Sequence, residues 1–346
     1  MPDNNQKPIF IIGCERSGTT LIRLILHSHP RIALPPQTKF LKKIYKRRLR
    51  WRDLRKLKNR RRLADWFTNH FDKRTKLPDL GLNPDVIRLE VVASANTLGA
   101  AASGVFKLYS SKFDKPRWGD KRPYYIKYLR QLLTLFPDAQ IIHVIRDGRD
   151  CIASLKNMPW WKQNLPYTIL NWQEAIRKGK RARSLLPKEQ YFEIRYEDFI
   201  SHPEKWTREI CNFLGETFYP EMLQFQKTAQ IAVPDYKMPW HSTTRESLSS
   251  AAIGRWQRDL EKWQIGLIEK KVGRELKEWN YQLSNMKYTV PFREQIKFYW
   301  ELVKYRTQSL FLTGLDRFMS FFYPWPLDYQ FYPSKSKEGP NLEKEL

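Results

Sequence analysis

The sequence predicts an α/β fold built around a central parallel sheet, and three observations support this. Short apolar runs occur at residues 9–12, 140–145 and 191–194, each long enough for a buried strand. A turn and then a stretch with apolar residues at helical spacing follow these runs. Alternation of strands and helices is typical of parallel sheets. The chain has 346 residues and is 41% hydrophobic, which excludes disordered, collagen-like and disulfide-scaffold classes.

The elements follow one another as units of strand and helix. In order, we predict a strand at 9–12, a loop at 13–18, a helix at 20–27, a helix at 124–136, a turn at 137–138 and a strand at 140–145. A further helix opens at Asp147, and a third strand covers Tyr191–Ile194. Ser201 and Glu204 have the spacing of a capping box for a helix that ends at Gly215.

Two segments depart from this pattern. Lys42–Arg62 contains thirteen Lys or Arg residues and one acid, and because it lacks Gly and Pro we predict a basic helix there, within an insertion at about 40–76. Tyr288–Tyr332 contains fifteen aromatic residues, interleaved with basic ones. We therefore predict a main domain at 1–282 and an aromatic, basic C-terminal extension at 283–346 that ends in a frayed tail.

The net charge indicates an anionic partner. Lys and Arg number 62 and Asp and Glu 36, so the formal charge is +26, which is more than solubility requires. The three cysteines have neither disulfide-framework nor zinc spacing, and the N-terminus lacks the pattern of a signal peptide. We therefore expect a cytoplasmic protein without a membrane span. Contact of the aromatic C-terminus with a membrane surface, and packing of those aromatics on the core or in a dimer, both remain open.

The first strand is followed by a candidate phosphate-binding loop. Gly13–Thr20 has two glycines at the spacing of a phosphate loop, between a strand and a helix whose N-terminus favours anions. Thr19 occupies the position where nucleotide-cleaving loops carry a lysine, which argues against a P-loop kinase. The positive charge comes from Arg16, and Ser17, Gly18, Thr19 and Thr20 complete the candidate site.

Two motifs together resemble one family of enzymes. The loop Arg16–Thr20, followed by His29-Pro30, is similar to the 5′-phosphosulfate loop of sulfotransferases that use 3′-phosphoadenosine 5′-phosphosulfate (PAPS). Ile145–Asp150 with Ser154 resembles the family's 3′-phosphate site, to which Arg146 and Ser154 would contribute. The pattern is nearest to the bacterial and tyrosylprotein types. The resemblance implies a P-loop-like three-layer fold and PAPS as the donor, with no metal.

Weaker matches extend the candidate site. Tyr196 lies in a segment similar to the one that places a tyrosine near the nucleotide, and Arg255 follows a glycine as in the segment that closes over it. Gly119–Pro123 resembles the motif whose lysine, here Lys121, contacts the transferred group. Arg122 stands where that motif has a small hydroxyl residue.

The general base is the point at which the sequence departs from the family. Gln37 stands where many members have a glutamate, and an amide cannot accept the proton. We expect Asp120 to serve because it adjoins Lys121; the alternatives are His27, His29 and His241, or an acceptor that needs no strong base.

The resemblance implies in-line transfer of a sulfuryl group from PAPS to a hydroxyl or amine, with Arg16 and Lys121 stabilising charge. The basic segment suggests an anionic acceptor such as a polysaccharide or glycolipid, and we do not expect nucleic acid as a partner. Two alternatives remain open: a catalytically silent polyanion-binding protein and a P-loop kinase.

Overall fold

The fold is described from a computed structural model that covers residues 7–226, 249–284 and 288–330. Its five strands all run parallel in the order β2-β3-β1-β4-β5. The strands are β1 (Ile9–Gly13), β2 (Ile32–Ala33), β3 (Arg117–Lys121), β4 (Gln140–Ile145) and β5 (Tyr191–Arg195). The parallel-sheet α/β fold predicted from the sequence is confirmed.

Helices cover both faces of the sheet. They are α1 (Thr19–His27), α2 (Phe40–Lys46), α3 (Arg48–Trp51), α4 (Leu57–Asn69), α5 (Pro84–Ser94), α6 (Leu98–Ser111), α7 (Leu129–Leu135), α8 (Gly148–Lys156), α9 (Leu165–Leu185), α10 (Tyr196–Ser201), α11 (Pro203–Leu214), α12 (Trp256–Asp259), α13 (Lys262–Glu278) and α14 (Phe292–Phe321). Short 3-10 helices cover Pro78–Leu80, Pro123–Tyr128, Pro220–Gln224 and Ser250–Ala252.

Alternate residues of the central strand enter two separate cores. Ile9 and Ile11 pack with α1, α10 and α11 on one face of the sheet. Phe10 and Ile12 pack on the other face with the larger group of helices, which includes α4 to α6 and α9. Side chains of a strand point alternately to opposite faces, so a strand that is buried on both sides reads as a continuous apolar run. The result is a three-layer arrangement.

Two strands were not predicted, and their sequences explain why. β2 has two residues, and β3 has the polar sequence Arg-Trp-Gly-Asp-Lys. β3 is nevertheless buried along its whole length because its charges are paired internally. The Arg117 guanidinium, for example, donates to the carbonyl of Leu214 at 2.7 Å and to Glu216 Oε1 at 3.1 Å.

The single helix predicted over Lys42–Arg62 is wrong. The segment forms α2, α3 and the start of α4 instead. Arg52 has φ of 57°, which no helix accommodates, and the Asp53 carboxylate accepts the backbone N–H of Arg55 at 3.0 Å in a turn. This local hydrogen bond competes with helix continuation, and charge composition alone does not reveal it.

The predicted capping box is also wrong, although the helix does end at Gly215, whose φ is 71°. Pro203 takes the first position of α11, where its missing N–H is not needed, and His202 becomes the residue before it. The Ser201 hydroxyl donates to the carbonyl of Glu197 instead. The helix predicted over 124–136 divides into a 3-10 helix followed by α7.

The C-terminal segment packs against the rest of the chain at several places. Backbone N–H groups of Gly99 and Tyr329 donate to the carbonyls of Leu327 and Leu135, at 2.9 and 3.0 Å. Along α14, the Arg48 guanidinium donates to the Asp316 carboxylate at 2.9 Å. The tail predicted to fray after Tyr332 lies outside the described residues.

Candidate anion-binding site at the carboxyl edge of the sheet

The loop after β1 is shaped by Gly18 and by the hydroxyl of Ser17. Gly18 has φ of 97°, and a Cβ there would lie 2.4 Å from Cδ2 of Tyr196, so only glycine fits. Ser17 is fully buried, and its hydroxyl donates to the carbonyl of Cys14 at 2.8 Å, which closes the turn. Thr19 opens α1, whose first backbone N–H groups have no partner within the helix. The loop therefore ends in a helix N-terminus that favours an anion.

Arg16 connects this loop to the helix after β4. It has φ of 69°, an uncommon conformation for a residue with a side chain, and its carbonyl accepts a hydrogen bond from Arg146 Nη1 at 3.0 Å. Its own Nε donates to Ser154 Oγ at 2.9 Å. Burial and the nearby cations Arg146 and Arg255 lower the pKa of Arg16. An anion bound among these guanidinium groups would relieve their repulsion.

Arg146 is held in place from several sides at the end of β4. Its carbonyl accepts from Trp172 Nε1 at 3.0 Å, and its guanidinium carbon lies 4.6 Å from the centre of the Tyr196 ring. The guanidinium lies 3.7 Å from the carboxylate of Asp150 and also donates to the carbonyl of Ala252. The structure thus brings together Arg16, Gly18, Arg146, Ser154 and Tyr196, all of which the sequence had singled out.

The segment that contains Arg255 is fastened to the same edge, but Arg255 itself turns elsewhere. Asp150 accepts the backbone N–H groups of Gly254 at 2.9 Å and of Trp256 at 3.0 Å. The Arg255 guanidinium pairs with Asp259 at 2.6 Å. Its contribution to the site in this structure is its positive charge, since it lowers the pKa of Arg16.

Lys121 and Asp120 end β3, directly beside β1. Lys121 Nζ donates to Thr20 Oγ1 at 3.2 Å, which joins the predicted lysine to the phosphate loop. Asp120 is fully buried and accepts from the hydroxyls of Thr38 and Tyr125, each at 2.7 Å, and from the backbone N–H of Lys121 at 2.8 Å. Burial raises the pKa of Asp120. These contacts fix the loop that follows Gln37 against the end of β3.

Two of the histidines considered as the general base, His27 and His29, accept hydrogen bonds from the backbone. His27 Nδ1 accepts from the N–H of Leu34 at 3.0 Å, and burial lowers its pKa to about 2. His29 Nδ1 accepts from the N–H of Arg31 at 3.0 Å. His241 lies outside the described residues.

A cationic and aromatic wall next to Lys121 was not recognised from the sequence. Lys42 Nζ lies 4.4 Å from the ring centre of Tyr124 and 4.3 Å from that of Tyr128, and the Arg122 guanidinium carbon lies 5.4 Å from that of Tyr124. Burial, with Lys46, Arg122 and Lys127 nearby, lowers the pKa of Lys42 to about 7. Within the described residues, Nε and Nη1 of Arg122 are buried without a hydrogen-bond partner.

Glu15 is a second residue that sequence reasoning missed. It is the one carboxylate of the loop 13–18, and Asn171 Nδ2 donates to its Oε2 at 2.8 Å.

In the described ranges, no three His, Cys, Asp or Glu side chains converge as metal ligands. The three cysteines are buried and unbonded to one another.

Comparisons with known proteins point to one family. The profile of the sulfotransferase family matches residues 8–221, which is more than half of the chain. A protein-tyrosine sulfotransferase of Drosophila melanogaster is 25% identical over 65% of this chain, and the match spans 41% of that protein. A putative protein-tyrosine sulfotransferase of Caenorhabditis briggsae is 26% identical over 74% of this chain and 82% of its own length.

A solved structure shows the same fold. The sulfotransferase domain of the Synechococcus PCC 7002 olefin synthase superposes with a TM-score of 0.56, at 18% identity, over 82% of this chain and 98% of that domain. The chain spans about half the length of the tyrosine sulfotransferases of Caenorhabditis elegans and Danio rerio, at 52% each.

Proposed function

The chain belongs to the sulfotransferase family, and we propose that it transfers a sulfuryl group from PAPS to a phenolic hydroxyl of an acidic acceptor. One observation carries the donor assignment. Cationic groups from the ends of three neighbouring strands meet at one edge: Arg16 after β1, Lys121 at the end of β3 and Arg146 after β4. Ligands of open parallel sheets bind at this edge.

The residues present fit the two anionic ends of PAPS. The start of α1 with Thr19 and Thr20, together with Lys121, suits the 5′-phosphosulfate, because backbone N–H groups and a mobile ammonium group can follow its oxygens. Arg146 and Ser154 suit the 3′-phosphate, for which a guanidinium fork is a favourable partner. This pairing of two anion sites also distinguishes the proposal from a P-loop kinase, whose loop lysine is replaced here by Thr19.

The reaction requires the protein mainly to position donor and acceptor and to stabilise negative charge. The acceptor oxygen forms a bond to sulfur while the bond from sulfur to the phosphate oxygen breaks, so negative charge grows on the leaving phosphate. We assign its stabilisation to Arg16, Lys121 and the N–H groups of the loop. The hydroxyl proton must leave the acceptor oxygen during this step.

The surroundings of Asp120 favour a positioning role over that of the base. Both of its carboxylate oxygens are engaged by Thr38, Tyr125 and the N–H of Lys121, within a fully buried environment. It holds the end of β3, and with it Lys121, against the loop that follows Gln37. We infer that the acceptor hydroxyl gives its proton to solvent water and not to Asp120.

A phenol suits such a site better than an alcohol. The pKa of a tyrosine phenol is about 10, far below that of a sugar hydroxyl, and positive charge nearby lowers it further. Lys42 and Arg122 supply that charge beside Lys121. The names of the relatives, protein-tyrosine sulfotransferases, agree with a tyrosine acceptor, and the cationic wall favours acidic residues around it.

The test combines binding with turnover. Adenosine 3′,5′-bisphosphate is titrated by calorimetry into the protein, into Arg146→Ala and into the matched surface variant Arg208→Ala. ATP is titrated into the protein as the control ligand. We expect a loss of about 100-fold for Arg146→Ala and none for Arg208→Ala. Sulfation is then assayed with PAPS and an acidic peptide bearing one tyrosine, its serine counterpart, and an acidic polysaccharide.

The outcomes separate the parts of the proposal. Lys121→Ala should lower kcat by about 100-fold and the affinity for the bisphosphate by no more than about 10-fold, because that ligand keeps the 5′-phosphate but lacks the sulfuryl group. Failure to bind the bisphosphate would overturn the donor assignment. Binding with sulfation of the polysaccharide or serine peptide alone would overturn the phenolic acceptor, and binding without any turnover would establish a silent anion-binding protein.

A further inference from the structure

The C-terminal helix α14 presents exposed apolar side chains away from the domain. They lie on one side of the helix in two groups, at 292–303 and at 310–321, which the polar residues 306–309 separate. With respect to the described residues, Phe292, Trp300, Leu310 and Phe321 are 77%, 72%, 73% and 82% exposed. Further exposed members are Ile296, Val303, Phe311 and Phe318. We call these eight residues the outer face. Soluble proteins rarely leave so long an apolar surface in water.

The opposite side of α14 is already packed on the domain. Phe298 is buried, and the hydroxyl of Tyr305 donates to Glu174 on α9. Asp316 accepts from Arg48, and its carboxylate also accepts from Arg130 Nη2 at 2.8 Å. These contacts on the inner side fix the orientation of α14. The outer face is therefore exposed while the helix is packed on the domain.

The charges of α14 are divided between the two sides. Asp316 and Glu301 turn towards the domain, where they accept from Arg48 and from Asn164 Nδ2, and their side chains are 13% and 12% exposed. The basic residues of the helix are all exposed: Arg293, Lys297, Lys304, Arg306 and Arg317. Lys297 pairs with Glu294 at 2.5 Å and Lys304 with Glu301 at 3.8 Å, so the exposed charge along the helix is cationic in excess, with two of its five basic residues paired.

We propose that the outer face of α14 docks on the surface of an anionic lipid bilayer. Apolar side chains flanked by exposed basic residues are the arrangement that inserts into the headgroup region, where Trp and Tyr are favoured. A second copy of the chain would bring two sets of like charges together, which disfavours a homodimer through this face. No described helix is long and apolar enough to cross a membrane, so the contact is with one leaflet.

The basic segment adds to this surface. Besides the bond from Arg48 to Asp316, the hydroxyl of Tyr323 donates to the carbonyl of Arg52 at 3.2 Å, which holds α3 beside the end of α14. Exposed basic residues therefore lie near the C-terminal end of α14: Lys46, Arg47, Arg50 and Arg52. Each basic residue near an anionic surface strengthens association.

The experiment uses the full chain with substitutions, because removing α14 would leave Arg48 buried without its carboxylate. The test variant replaces Trp300, Leu310, Phe311 and Phe318 by Gln. The matched control replaces four exposed apolar residues elsewhere by Gln: Val86, Leu89, Trp160 and Leu185. Cosedimentation is measured with vesicles of phosphatidylcholine alone and with one quarter phosphatidylserine, alongside the sedimentation coefficient without lipid and the melting temperature.

We expect the unchanged protein and the control to bind the anionic vesicles and to bind neutral vesicles at least about 10-fold more weakly. The test variant should bind the anionic vesicles at least about 100-fold more weakly, with an unaltered melting temperature. Equal binding by test and control variants would overturn the proposal. So would a dimer that the test variant converts to a monomer, or a lowered melting temperature, which would show that this chain covers the face itself.

Discussion

The arginines at the carboxyl edge of the sheet and the basic residues of Lys42–Arg62 carry the same charge but are used in different ways. Arg16 and Arg146 are held by each other, by Ser154 and by backbone carbonyls, so their guanidinium groups have fixed positions. In the basic segment, Arg48 is buried in an ion pair and Lys42 lies on two aromatic rings. The difference teaches that an excess of charge in the sequence does not reveal which cations are buried in ion pairs, which lie against aromatic rings and which converge at the ends of strands.

We expect the largest effect on stability at Arg48, which is buried in its ion pair with Asp316. Replacing Arg48 by Met should lower the free energy of unfolding by about 2 kcal/mol, because Asp316 stays mostly buried and keeps Arg130 as its remaining cationic partner. The neighbouring exposed Arg47→Met should change it by less than about 0.5 kcal/mol. Urea unfolding followed by tryptophan fluorescence measures both. A loss of bisphosphate affinity in Arg48→Met without loss of stability would contradict a purely structural role.

The phosphate loop provides the opposite case, in which binding changes more than stability. Gly18→Ala forces a side chain into a positive φ and against the Tyr196 ring, so we expect the affinity for adenosine 3′,5′-bisphosphate to fall about 100-fold. Gly314→Ala on α14 is the control, since a Cβ there meets nothing within 4 Å and alanine favours the helix. Calorimetric titration compares the two. Equal affinities would show that the loop tolerates the displacement.

The smallest expected effect concerns Lys42, whose pKa is lowered to about 7. It is charged at pH 6 and mostly neutral at pH 8, so the KM for an acidic acceptor should rise several-fold over this interval, by roughly 3- to 5-fold. In Lys42→Arg the rise should disappear, because arginine stays charged throughout.

Lys46→Arg is the control for this measurement, since Lys46 is exposed. Steady-state kinetics at fixed, saturating PAPS give both profiles. A profile that is unchanged in Lys42→Arg would assign the pH dependence to another group and remove Lys42 from the acceptor site.

The same contrast explains what could be predicted from the sequence. The strands β1 and β4 were predictable because buried parallel strands are mainly apolar, and the edge strand β5 was predictable from its Tyr, Phe and Ile. The loop with Arg16 and Gly18 was predictable from its position between a strand and a helix. β3 was not, since its burial depends on partners such as Glu216 that lie nearly a hundred residues away. Lys42 and Arg122 were likewise missed as a pair, because only the fold brings α2 beside the 3-10 helix at 123–128.

The bond between Arg48 and Asp316 also has a consequence for the order of synthesis. These residues are 268 positions apart, so on a ribosome that adds 5–20 residues per second Arg48 emerges roughly 13–54 s before its carboxylate partner. During that interval the segment around α3 cannot bury its arginine favourably. We expect this corner to be completed last, and a nascent chain that stalls before α14 to be the form most exposed to proteases and chaperones.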